Sequence, residues 1–216
     1  MSLPERFNRR VRQLIGANAV WLPGTSLHLG SVLVRGEGRF RPFSKLANFG
    51  ASFEREAHLD RDLNFSSTGT KETLFQANAE LKNGSQLDLS AEASVKIEFS
   101  SKFEYTVKSP LLKGEHIPNL ADVAAAVAGR ADWKHDRFYI VYELYVATEF
   151  SFIGTEKSGS TVQFSGKGSA VQSFLAGGLS AGLTKSGTAD VTIMGKGGPL
   201  AMGLVRIKKD GNTDFV

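Results

Sequence analysis

Residues 87–107 constrain the fold of this chain more than any other stretch. Odd positions are apolar or small: Leu87, Leu89, Ala91, Ala93, Val95, Ile97, Phe99, Ser101, Phe103, Tyr105 and Val107. Even positions are polar, from Asp88 through Lys96, Glu98 and Glu104 to Thr106. Side chains alternate across a strand, so the pattern predicts one strand with an oily face and a wet face. Twenty-one residues at about 3.3 Å each would reach about 70 Å. An ordinary strand has about 5–6 residues and a membrane-crossing strand about 9–11. The predicted strand is too long for the core of a small domain.

A partner precedes it. Residues 73–81 alternate with Phe75, Ala77, Ala79 and Leu81 on the expected apolar face, and Asn83-Gly84 follows as a hairpin signal. Residues 138–152 form a second expected strand. Its first half, Phe138 to Val141, is apolar on both faces, as in a central strand. Its second half turns amphipathic, with Leu144, Val146, Phe150 and Phe152 against Glu143, Glu149 and Ser151. Val162 and Phe164 alternate with Gln163 and Ser165, and Leu175, Leu179, Ala181, Leu183, Ala189, Val191 and Ile193 share odd parity. The expectation is a second, glycine-rich amphipathic hairpin with its tip near 166–174. A core strand is expected over 200–207, followed by a polar tail over 208–216.

Two helices are expected. Ser2 and Glu5 have capping-box spacing, Phe7, Val11, Leu14 and Ile15 share a face, and Gly16 supplies a stop. Asn119 can cap a helix through Leu120, Val123, Ala124 and Val127, ended by Gly129. Residues 44–63 are ambiguous, their charged run reading as a solvated helix or loop. The fold class expected is α+β: a twisted antiparallel sheet with a few flanking helices and two long amphipathic hairpins, in one domain over 1–216.

Charge is unevenly spread. The chain carries +4 overall. Its first 45 residues hold Arg6, Arg9, Arg10, Arg12, Arg35, Arg39, Arg41 and Lys45 against only Glu5 and Glu37. Such asymmetry points to an anionic partner, lipid headgroups or nucleic acid. The cations of the first helix lie off its apolar seam, as on a helix resting on anionic lipid or, more blandly, on a solvated face. Residues 35–43 interleave Arg with Phe40 and Phe43 around glycines, which suits headgroup binding or base stacking. No cysteine is present, so thiolate chemistry and disulfides are excluded. No apolar run reaches the 18–20 residues of a membrane helix, and no cleaved signal is read. The four histidines are scattered, no complete phosphate-binding loop occurs, and no metal, cofactor or enzyme activity is expected.

In the order and character of these segments the chain resembles the pore-forming amino-terminal domain of the gasdermins. The residues that carry the resemblance are Phe7 to Leu14 leading into Val20-Trp21-Leu22-Pro23, then Leu33 to Phe40, and Ala128-Gly129-Arg130 before Phe138 to Glu143. The glycine-rich hairpin closing on Asp190 to Ile193 and the final strand complete it. The resemblance implies a pore former of cell death or defence (pyroptosis, antiviral defence), cytoplasmic when inactive and at the inner (plasma) membrane when active. Anionic lipid would bind Arg6, Arg9, Arg10, Arg12, Arg35, Arg39 and Arg41. A homo-oligomer would insert hairpins spanning 70–107 and 144–193, with Leu87, Leu89, Val95, Ile97, Phe99, Phe150, Phe152, Phe164, Leu175, Leu179, Val191 and Ile193 in lipid. An activating protease is the implied trigger, and 208–216 the implied inhibitory peptide or its remnant. Nucleic acid is not an expected partner in this reading. Physics agrees with it: strands in lipid must pair into a closed barrel with one apolar face. The alternative is a soluble β-rich binding module that takes an anionic ligand or nucleic acid on the Arg/aromatic turn.

Overall fold

The computed structural model describes all residues except Met1, 22–25, 37–38, Leu59, 83–85, 179–181, Ala189 and Lys196, together with the side chain of Arg39. Among the described residues it is an α+β fold of three α-helices and mostly antiparallel strands. The chain packs as two compact units. One comprises 1–6, 61–112 and 147–197; the other comprises 7–60, 113–146 and 198–216.

The second unit is built on an eight-stranded sheet. Phe138–Ala147 runs through it, buried on both faces over its first four residues as the apolar run predicts. It pairs with Ser31–Gly36, which pairs in turn with Arg39–Lys45. Gly198–Ile207, the expected core strand, lies in the same sheet beside Asn18–Ala19. Helix Leu120–Ala128 buries Val123, Ala124 and Val127 in the core. Asn119 precedes it without capping it: its Oδ1 accepts the Glu54 amide at 2.9 Å instead. The ambiguous stretch resolves into a 3-10 turn, Leu46–Phe49, and a short edge strand, Glu56–Ala57. The polar tail does not trail away. Thr213–Phe215 pairs antiparallel with Gly198–Ile207, and Phe215 sets its ring edge-on to Tyr142.

The first unit holds two smaller sheets. The five-stranded one carries Thr70–Gln76, Glu92–Phe99, Ser160–Lys167 and Thr184–Gly187 as neighbours, with Ala79–Glu80 on its edge. The four-stranded one carries Phe65–Ser66, Glu104–Lys108, Ser151–Thr155 and Val191–Gly195. The same four stretches of chain therefore cross both sheets in the same order.

That arrangement corrects the two long strands. Residues 87–107 are not one strand. The ladder stops at Phe99, the chain turns, and Phe103 takes a positive φ of 61° before Glu104–Lys108 begins. Residues 138–152 break in the same way at 148–150. The 73–81 arm is corrected too. It ends at Gln76, and Ala77 (φ 50°) and Asn78 (φ 63°) turn it back on itself into Ala79–Glu80. Two successive positive φ values are what a type I′ two-residue hairpin requires. Its parity also differs from the expectation: Phe75 lies opposite Ser94, on the polar face, and Leu74 opposite Val95, on the core face. The tip expected at Asn83-Gly84 lies outside the described residues. The tip expected near 166–174 is helix Gly168–Leu175, which buries Val171 and Phe174.

Candidate functional site

The candidate membrane-binding cations sit on two elements. Helix Leu3–Ile15 starts where its sequence requires, with the Ser2 amide donating to Glu5 Oε2 at 2.7 Å. It stops at Gly16, whose φ is 76°. Leu3, Phe7 and Val11 are buried, which leaves Arg6, Arg9, Arg10 and Arg12 exposed. Arg9 and Arg12 make no ion pair among the described residues. Arg6 lies 5.9 Å from the Phe103 ring centre. Leu14 departs from the expected apolar seam: it is 40% exposed. The second element is the hairpin of Ser31–Gly36 and Arg39–Lys45, where Arg35 and Arg41 are exposed. Arg35 stands 5.9 Å from the Phe40 ring centre. Phe43 is 58% exposed although it stacks on Phe138 at 4.9 Å. Leu14 and Phe43 thus add exposed apolar groups to the basic elements. Only Phe43 was flagged by the sequence, through its place in the Arg/aromatic turn.

Most of the expected inserting residues are instead packed inside the first unit. Val95, Ile97, Phe99 and Phe164 share one core face with Val162, as their alternation predicts. Val171 and Phe174 of helix Gly168–Leu175 share that core, with the Phe164 and Phe174 rings 4.6 Å apart. Leu175 packs there half-buried, as a helix residue rather than a strand residue, and Leu87 packs there from outside any strand. Val191 and Ile193 reach the same core from the four-stranded sheet, beside Ile153. Phe150 is buried in the break before Ser151–Thr155. Phe152 is buried on the other face of the four-stranded sheet, stacked on Tyr105 at 5.8 Å. Leu89 is 48% exposed, and Leu179 lies outside the described residues.

Where the two halves of the inner strands meet, their register does not change. Phe99 lies opposite Ser160, and Glu104 opposite Thr155. Four residues intervene on each strand, 100–103 and 156–159, so the two breaks are equal. Only the facing differs. The five-stranded sheet turns Val95 and Ile97 to the shared core, whereas the four-stranded sheet turns Ile153 to it and puts Phe152 on its far side.

A polar cluster at this junction was not legible in the sequence. Glu72 lies opposite Ile97 on the core face, yet it accepts from Lys108 Nζ at 2.6 Å and from Thr106 Oγ1 at 2.7 Å. It thereby ties the five-stranded sheet to the four-stranded one. The pair lines an open cavity of about 380 Å³ together with Asn64, Phe65, Ser66, Thr70 and Val107. Glu104 is 4% exposed, and its Oε2 has no hydrogen-bond partner. Gly69 is the residue that makes room for it: a Cβ there would overlap the Glu104 carboxylate and Ser100.

Two of the scattered histidines also meet. His58 and His116 stack at 4.4 Å, and His58 Nε2 lies 2.9 Å from Glu143 Oε1 without a well-aimed hydrogen bond. No group of three metal-ligating side chains exists among the described residues. Residues 178–182 spell G-x-S-x-G, but helix Gly168–Leu175 precedes them where a nucleophile elbow needs a strand. Ser180 itself is outside the described residues.

No protein-family description matches the chain, and no curated protein does. Among solved structures, a bacterial gasdermin from Bradyrhizobium tropiciagri is similar over 97% of this chain and 90% of its own. The identity is 15% and the TM-score 0.38. A likeness at that level adds no weight of its own, so the geometry of the strands and cations has to bear the functional reading.

Proposed function

We propose that this chain permeabilises membranes: it binds anionic lipid through its basic helix and hairpin, oligomerises, and inserts four strands per subunit as two β-hairpins. One observation carries this reading. Residues 92–108 and 151–167 are held in a single antiparallel register across two equal four-residue breaks. Straightened at 100–103 and 156–159, each would extend about 56 Å at about 3.3 Å per residue. That exceeds the roughly 9–11 residues a tilted strand needs in a bilayer. On the straightened pair, Ala93, Val95, Ile97, Phe99, Phe103, Tyr105 and Val107 would share a face with Phe152, Gly154, Val162 and Phe164, interrupted around the former breaks by Ser101, Ser158, Ser160 and Glu156. The opposite face would hold Ser94, Lys96, Glu98, Thr106 and Gln163, with Ile153 as its exception. This is the apolar-out, polar-in division of a barrel wall.

The soluble form then stores Ala93, Val95, Ile97, Phe99, Val162 and Phe164 of its lipid face over helix Gly168–Leu175, and Tyr105, Val107 and Phe152 on the far side of the four-stranded sheet. The membrane replaces that helix as the apolar cover. Subunits close the barrel by pairing their outer strands, which removes every unsatisfied edge. An activating protease, a cytoplasmic resting form, action at the inner (plasma) membrane and a role in cell death or defence belong to the same proposal.

The test is dye release. Vesicles containing anionic lipid should empty at micromolar protein and neutral vesicles should hold their dye. Retention in both would end the pore reading and favour a soluble module that takes its anion on the hairpin of Ser31–Lys45.

A further inference from the structure

The two breaks are equal on the inner strands but not on the outer ones. On the outer strand next to Glu92–Phe99, Ser66 lies opposite Thr106 and Thr70 opposite Phe99. Four steps along the outer strand therefore face seven along the inner. Bent sheets tolerate this, because residues 100–103 bulge out of the ladder. A straight strand cannot: opposed residues advance together at about 3.3 Å each. Once the inner strand straightens, one of the two outer registers has to slip by three residues.

An odd slip exchanges the faces of the strand that moves. In the register of the structure, Thr70, Glu72, Leu74 and Gln76 line up with Phe99, Ile97, Val95 and Ala93 on the apolar face. Glu72 is tolerated there because Lys108 and Thr106 satisfy it. In lipid, Glu72 and Gln76 would face hydrocarbon. If the register of Phe65–Ser66 is extended instead, Thr73 meets Phe99, Phe75 meets Ile97, Ala77 meets Val95 and Ala79 meets Ala93. Every apolar position of 73–81 then joins the apolar face, and Glu72 and Gln76 move to the polar one. Leu74 is the exception.

The backbone points the same way. The non-glycine residues with positive φ among the described residues are Ala77, Asn78 and Phe103. All three sit where a strand of this set stops. Ala77 and Asn78 form a hairpin turn with positive φ at both positions, which asparagine adopts readily and alanine does not. The alternation of 73–81 runs straight through that turn. A local pattern that conflicts with the fold around it marks a strained or functional site, and here the slipped register would relieve the conflict.

We infer that Thr70–Gln76 slips by three residues against Glu92–Phe99 when the chain inserts, unfolding the Ala77–Asn78 turn and bringing Phe75 opposite Ile97. The inference rests on the pore reading. It names a register change within that reading, beyond simple lengthening of the strands.

Cysteine pairs separate the two registers, and the chain has no cysteine of its own. Directly opposed residues lie within disulfide reach, and residues displaced by three positions do not. Lys96→Cys serves as the common partner. With Thr73→Cys it reports the register of the structure; with Gln76→Cys it reports the slipped one. In solution the Thr73/Lys96 pair should oxidise at least tenfold faster than the Gln76/Lys96 pair, which also shows that the variants fold. On anionic vesicles that preference should reverse. The oxidised Thr73/Lys96 protein should lose dye release and regain it on reduction. Equal oxidation of Thr73/Lys96 on permeabilised vesicles, or undiminished release by the locked protein, would overturn the slip while leaving the pore reading intact. Failure of the cysteine-free protein to release dye would instead remove the pore reading, and the slip with it.

Discussion

Leu89 and Ile97 belong to one alternating series, but they call for different experiments. Ile97 is fully buried, so Ile97→Asp places an unpaired charge in the core and should cost on the order of 4–5 kcal/mol. Typical domains hold only about 5–15 kcal/mol in reserve. The expected outcome in urea is a large fall in the unfolding midpoint, so lost leakage in this variant says nothing about lipid. Leu89 is exposed, and Leu89→Asp should change stability by less than about 0.5 kcal/mol while reducing dye release several-fold. Unchanged release would take Leu89 out of the bilayer. The arginines are equally separable from the fold. Arg9→Glu with Arg10→Glu alters two exposed side chains, each worth about 1 kcal/mol at an anionic surface. Sedimentation with anionic vesicles should show binding at least about 30-fold weaker and an unchanged melting curve.

At the scale of elements, the proposed function gives helix Gly168–Leu175 the task of holding the strands folded. Phe174 is fully buried against Phe164, so Phe174→Ala should destabilise the protein by about 3–5 kcal/mol. If this helix covers the lipid face, the same variant should release dye faster than the parent despite being less stable. Slower release would mean that the helix does not restrain insertion. The terminal strand Thr213–Phe215 gives a pH prediction. The hydrogen bond from Arg206 holds the Asp214 carboxyl below the usual carboxylate range. A depressed carboxyl stabilises the folded state above its unfolded pKa of about 3.9, and loses that contribution as pH falls through the lower folded value. Amide shifts of 213–215 should therefore hold steady from pH 8 to about 4 and move only below that. A midpoint near pH 6 would contradict the pairing.

These elements also show what could be read from the residues alone. The Leu120–Ala128 helix and the strands Phe138–Ala147 and Gly198–Ile207 were legible because each buries one face, or both, against a single core, and the first helix because Leu3, Phe7 and Val11 bury one face of it. The exposed arginines were legible for the same reason, lying opposite Phe7 and Val11. The breaks at 100–103 and 148–150 were not, since Ser100-Ser101 is only a weak turn signal, the polar–apolar alternation runs on past it, and Phe103 carries no turn chemistry. The helix at Gly168–Leu175 was missed because its buried pair, Val171 and Phe174, spans barely one turn and residues 166–174 read as a glycine-rich hairpin tip. The Glu72–Lys108 tie joins residues distant in sequence, and no spacing rule reaches that far.

Across the whole molecule, the proposed function has this structure keep an elongated, one-sided strand set folded into two sheets. Its net positive charge is concentrated in the first 45 residues, where a helix and a hairpin leave Arg6, Arg9, Arg10, Arg12, Arg35 and Arg41 exposed. Attraction to anionic surfaces is screened over about 10 Å at 0.1 M salt. Raising salt should therefore slow dye release by weakening binding, without changing the final extent once protein is bound. The most direct test of the central claim is electron microscopy of the protein on anionic liposomes. The account predicts closed rings that cross the bilayer, built from many copies with four strands from each. Intact bilayers carrying only single, surface-bound copies would contradict it.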